Sequence, residues 1–359
     1  MLLWFIIPFY FITTQIVRKK KNINKFFWVY IISFCIVIAY TLVVHSANNF
    51  SHGYSNVAMR PFYNDHTSYG AALAMFIPII VGFVFNKENK KSYRIISGFV
   101  LVYFIIAIIF SYTRAAWVSL LGAFAVWLML RLKINYKIVL TTVIILVGTF
   151  FIFQEQIFFK LEGNKQDSST DFSEHIKSIT NVATDASNLE RINRWNSAIR
   201  MYKEKPVFGW GPGTYQFNYA PFQYSYEKTI ISTNAGNMGN AHSEYLGALS
   251  ESGILGMISL ILILIYVFIT SVKIYNKAKS KSLKILIASV ICALVTYFFH
   301  GFLNNFLDTD KIAVPFWGFV AIIVAIDVYF DDFDKEFETG NKELNETNDV
   351  SGELTNDEK

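Results

Sequence analysis

The chain has 359 residues, of which 53% are hydrophobic, 17% aromatic and only 16% charged. A soluble domain carries about 25% charged residues, and the mean hydropathy here is +0.36. These figures exclude a disordered chain, a nucleic-acid binder with a basic face and an ordinary soluble enzyme, and they point to a membrane protein. The formal net charge is +5, yet residues 331–359 alone hold eleven acidic and three basic residues, so the distribution of charge matters more than its total.

A helix needs about 20 mainly apolar residues to cross a bilayer, and inside lipid its backbone must satisfy its own hydrogen bonds. Nine runs read as spans: 1–17, 26–46, 67–85, 95–112, 115–130, 138–153, 244–271, 285–303 and 312–330. Nothing shows the alternation of a membrane β-barrel. The predicted fold is therefore all-α, a polytopic helical membrane protein. Six spans occupy 1–153, a large hydrophilic loop containing helices 154–243, three more spans 244–330, and an acidic disordered tail 331–359.

Basic residues in short loops set the orientation. The loops 18–25, 86–94, 131–137 and 272–284 hold 5, 4, 3 and 5 of them, whereas 47–66 has only Arg60 and 304–310 has none. Every second loop is basic. That places the basic loops and the tail in the cytoplasm, and the segment 154–243 on the opposite face. Residue 1 then lies outside, although the chain opens on an apolar run without a cleavage signal. Either an upstream span is missing or the N-terminus is external. Cys35 and Cys292 fall within spans and read as small buried residues.

In chain order, Arg60, Asp65 and His66 flank the third span on the outer side. Arg114, in SYTRAAW, sits between two apolar runs with no room for a loop. A charge at that depth faces the bundle interior or a water-filled cavity; the competing reading is an arginine snorkelling to the head groups. Within the long loop, Asn188 reads as a helix cap with Glu190 in the first turn. Ile192, Trp195, Ile199 and Tyr202 follow at helical spacing. Arg191 and Arg194 lie one turn apart on a neighbouring face, suited to an anion or simply solvated.

Pro206 ends that helix. GWGPGT (209–214) follows and reads as a structural turn or as a set of backbone N–H groups for phosphate. Asn240-Ala-His242-Ser-Glu-Tyr then leads into the seventh span. The positive end of that helix disfavours a protonated imidazole, and a neutral one can act as general base. His300 lies at the outer end of the eighth span, with Asp308 and Asp310 beyond it. Arg60, His66 and His300 are thus candidates to line one outer cavity. No carboxylate cluster resembles a divalent-metal site.

SYTRAAW, Arg191-x-x-x-Trp195 with the following KPVFGWGPGTYQF, and NAHSEYLGALSESGILG occur in an order and spacing that resembles the O-antigen ligase and polymerase superfamily over roughly residues 60–325. The resemblance implies an integral membrane glycosyltransferase working on the periplasmic face of the bacterial inner membrane. Its donor would be a glycan on undecaprenyl diphosphate, and its acceptor a glycan or a lipid. It implies no nucleotide, metal or other cofactor. Carried over, the family's first arginine falls on Arg114, its loop arginine on Arg191, and its histidine on His242. Ser243 stands where asparagine is common. Arg194 joins the diphosphate-binding set by proximity to Arg191. The rival class is a polytopic transporter or flippase, which would show inverted repeats and broken helices at the midplane.

Overall fold

A computed structural model describes residues 6–139, parts of 141–149, 186–233 and 239–339. Among these residues every regular element is helical. Seven helices are long and apolar enough to cross a membrane: α1 (Lys20–Ser46), α2 (His66–Phe85), α3 (Lys91–Phe110), α4 (Arg114–Arg131), α6 (Glu244–Lys277), α7 (Lys281–His300) and α8 (Asp310–Val328). Between α4 and α6 lies α5 (Ala186–Glu204) in the outer segment. The chain is a multi-pass helical membrane protein.

Hydropathy placed these seven, but two predicted spans fare differently. Of residues 1–17, those described are helical from residue 6 to residue 16, of the π type over Ile7–Ile12. The run 138–153 lies mostly outside the described residues.

The spans form two layers. α2, α7 and α8 are mostly buried within the protein, and α1, α3, α4 and α6 surround them. The outer helices leave large apolar side chains exposed, among them Ile36, Phe99, Leu121 and Leu262. In water such a surface would be costly; against lipid it is the natural solvent interface. Inside, aromatic rings from α1, α2 and α8 meet edge to face, as in Phe27 with Phe319 and Phe76 with Phe319. Side-chain caps open several helices: Asp65 accepts from the Ser68 N–H, Ser243 from Leu246 and Ser280 from Leu283.

The tail departs from expectation. Residues 330–339 are helical, and Phe330, Phe333 and Phe337 are buried at helical spacing. Asp334 accepts from the backbone N–H groups of Lys279 and Ser280, at 3.1 and 3.3 Å. Lys277 and Lys20 lie over the Phe330 and Phe337 rings. Charge counting alone made this stretch look solvated. Its three phenylalanines bury one face, while its carboxylates meet the basic loops at Lys20, Lys277, Lys279 and Ser280.

Candidate active site at the outer helix ends

α2, α4 and α6 all begin on the face opposite the basic loops, so three positive helix ends face the same region. The α2 end is tied to the α4 end. His66 Nδ1 lies 2.7 Å from the Ser111 carbonyl, and the Thr113 hydroxyl donates to the His66 carbonyl at 2.8 Å. Gly70 permits this approach, because a Cβ there would meet Thr113 at 2.5 Å. Tyr112 is held at φ 52°, a rare conformation for a residue with a side chain, and its hydroxyl donates to the Phe50 carbonyl. The following helix then opens at Arg114.

His242 sits immediately before the α6 cap, also in the left-handed region at φ 48°. Its N–H donates to Asn240 Oδ1 at 3.0 Å, and its carbonyl accepts from Trp195 Nε1 at 3.2 Å. Backbone strain held in place from two sides in this way clusters at functional sites. Burial and the positive charges of Arg191 and Arg194 push the His242 imidazole down to about 4, against weaker opposing effects of Glu190 and Asp65. It is therefore neutral at neutral pH.

Arg191 is the common neighbour. Its Nε donates to the Leu303 carbonyl at 3.2 Å, which pins α5 onto the turn after α7. Its charge reaches His66, His242 and His300, and the Arg114 charge also reaches His66. Sequence positions 66, 114, 191, 242 and 300 thus come together from five elements. Asp65 adds the opposing negative charge, reaching all three histidines. His300 is 1% exposed; its Nε2 accepts from Asn304 Nδ2, and among the described residues its Nδ1 has no hydrogen-bond partner.

Arg194 and Arg60 are placed otherwise. Arg194 is 4% exposed and turns into the body of the outer segment. Its Nε donates to Glu190 at 2.6 Å, Nη2 donates to Thr233, and the guanidinium stacks on Tyr219 at 4.0 Å. Burial raises the Glu190 carboxyl, but bonds from Ser232 and Arg194, the Arg194 charge and a bond from Thr229 bring it below the usual range overall. Arg60 is exposed, and among the described residues no hydrogen bond or ion pair ties its guanidinium to the cluster.

Two local readings change. α5 is already helical at Ala186, so Asn188 lies inside it rather than at its cap. Its most buried face is not the predicted apolar stripe alone, since Glu190, Asn193, Arg194, Ser197, Ala198 and Met201 are buried along with Ile192. The polar members bond to one another and to the segment 222–233, as in Asn193 Nδ2 to Gln223 at 2.7 Å and the Ser197 hydroxyl to the Asn193 carbonyl at 2.8 Å. The Glu190–Arg194 pair was visible as an i,i+4 opposite-charge spacing, and Glu190 had been assigned to the helix dipole instead. The Trp195 bond to the His242 carbonyl had no signal in the sequence.

GWGPGT is a structural turn. Gly209, Gly211 and Gly213 all take positive φ. The turn docks on a break in α6 at Gly253, which has φ 66° and ψ −165°. Trp210 and Gly211 donate to the Ser250 and Glu251 carbonyls, and the N–H groups of Gly213 and Tyr215 are taken by the Glu251 carboxylate at 2.8 and 3.0 Å. The amides that phosphate would need are thus already occupied.

The fold is that of a multi-pass helical membrane protein in which Arg114 and Arg191 lie within electrostatic reach of His66, and Arg191 also of His242 and His300. Residues 99–261 match the family model described as O-antigen ligase, so the likeness read from the motifs holds at superfamily level. The match spans Arg114, Arg191, Arg194 and His242 and leaves Arg60, His66 and His300 outside. An uncharacterized protein of Haemophilus influenzae (strain ATCC 51907 / DSM 11121 / KW20 / Rd) is 27% identical over 242 residues, covering 66% of this chain and 57% of that one. The chain therefore spans less than two thirds of that relative's length.

Proposed function

We propose that this protein is a glycosyltransferase of the O-antigen ligase and polymerase type. It would transfer or polymerise a glycan from undecaprenyl diphosphate on the periplasmic face of the bacterial inner membrane, without a metal. The observation that supports the reading is that the Arg191 charge reaches both His66 and His242, and the Arg114 charge reaches His66, beside the N-termini of α2, α4 and α6. In the transfer, the acceptor hydroxyl oxygen attacks the anomeric carbon. The bond from that carbon to the diphosphate oxygen breaks, and its electron pair leaves with the diphosphate. Arg114 and Arg191 stabilise the departing charge through planar forks. The hydroxyl proton passes to neutral His242. The configuration inverts. Arg194 acts at one remove, holding the outer segment together and keeping a positive charge near His242.

The test is surface-glycan analysis of a deletion strain complemented with variants. His242→Ala should restore no transfer while inserting and folding normally, and Arg114→Lys and Arg191→Lys should also fail because the bidentate fork is lost. Full restoration by His242→Ala would remove the base. A lost length ladder assigns polymerase; intact polymer left unattached assigns ligase.

A further inference from the structure

The turn that docks on the α6 break carries two apolar side chains which the described residues do not bury. Val207 is 48% exposed and Phe208 77%. They lie between Lys205 and Trp210, and the Lys205 ammonium stands 3.8 Å from the Trp210 ring centroid. In water an exposed Val-Phe pair has no obvious use.

The depth of this turn follows from α6. The inner end of that helix is marked by Lys273 and Lys277. Twenty residues up from Lys273 is Gly253, a rise of about 30 Å, which is the thickness of the hydrocarbon core. Residues 254–272 contain no charge, and Leu255, Ile258 and Leu262 on this stretch are exposed apolar side chains facing lipid. Gly253 therefore marks the outer edge of the hydrocarbon. The turn is seated on it: the Ile254 N–H donates to the Pro206 carbonyl at 2.9 Å, and a Cβ on Gly253 would lie 2.3 Å from the Val207 oxygen. Phe208 thus stands within about one helical turn of lipid-facing Leu255, continuous with the lipid surface of the bundle.

We infer that the Lys205–Trp210 turn is a membrane wedge, with Val207 and Phe208 inserted at the head-group boundary of the outer leaflet. Lys205 and Trp210 form the polar and aromatic rim expected at that level. The wedge and the Gly253 break together hold α5 at a fixed height over the bilayer. On the function proposed above, that height puts Arg191 in the plane of a lipid-linked diphosphate.

A nitroxide at Phe208→Cys, in the full chain with Cys35 and Cys292 replaced by alanine, reads the depth directly. The protein is reconstituted in vesicles of phosphatidylethanolamine and phosphatidylglycerol, and accessibility to oxygen and to a water-soluble nickel chelate is compared. Leu262→Cys is the lipid reference. Tyr226→Cys, 76% exposed in the outer segment, is the aqueous one. Position 208 should favour oxygen, as 262 does. A nickel preference like that of 226 overturns the wedge, and so does exclusion of both probes, which would mean that protein covers it. Val207→Cys gives the same reading if Phe208→Cys does not fold. Gly253→Ala, which puts a Cβ against the Val207 oxygen, should lower the oxygen preference at 208. The measurement needs no transfer, so the wedge and the glycosyltransferase reading stand or fall separately.

Discussion

The His242 imidazole provides the sharpest prediction. At about 4 rather than the ordinary 6.5, it binds a proton a few hundred-fold more weakly than a free imidazole, a difference of about 3 kcal/mol. At pH 5.5 an ordinary histidine is about nine-tenths protonated, whereas His242 is only about 3% protonated. Since a base must be neutral to work, kcat/KM should hold through pH 5.5 and fall only toward pH 4. An anionic donor would offset Arg191 and Arg194, so the acid limb of kcat should lie above that of kcat/KM. Arg191→Gln removes one of the two positive neighbours and should raise the His242 midpoint in the free protein, read without any transfer. A direct reading is the ring-proton resonance of labelled histidine in nanodiscs, assigned by its loss in His242→Gln. A midpoint near 6.5 in the wild type, or one unmoved by Arg191→Gln, would refute the electrostatic coupling. The same depression makes the folded state bind the proton less readily than the unfolded chain. This group therefore costs no stability above about pH 6.5 and an increasing amount as pH falls from there toward 4.

Other expectations concern what holds the site. Glu190→Gln leaves the Arg194 guanidinium buried without its counter-charge and should destabilise the protein by about 3 kcal/mol, measured by thermal unfolding in detergent; Glu190→Gln with Arg194→Met should recover part of that loss. Asp334→Ala removes the acceptor for the Lys279 and Ser280 N–H groups and should cost about 1–2 kcal/mol. Faster amide exchange over 330–339 would show it, and unchanged exchange would mean that the three phenylalanines hold this helix alone.

Much of the membrane architecture was legible in the chain. Spans are long uncharged runs, and their orientation is a count of lysines and arginines, both local quantities. SYTRAAW and the stretch around His242 stood out because a charge or an imidazole at the edge of an apolar run is costly unless used. Over 330–339 net charge misleads, because it says nothing about which face of a helix carries Phe330, Phe333 and Phe337. The buried face of α5 escapes hydrophobic periodicity because it is largely a hydrogen-bonded polar network, which that periodicity cannot register.

The division has a physical basis. Transfer from water to lipid is a property of one segment at a time, so composition alone determined that this is a multi-pass helical protein and which loops are basic. Which arginine serves the site is a property of distance. Arg191 and Arg194 are one turn apart and equal on paper. Only the packed chain turns Arg194 inward to Glu190 and brings Arg191 to the Leu303 carbonyl, within reach of three histidines. The Gly253 break, seated under Val207, likewise exists only once residues 206–211 have folded back onto α6.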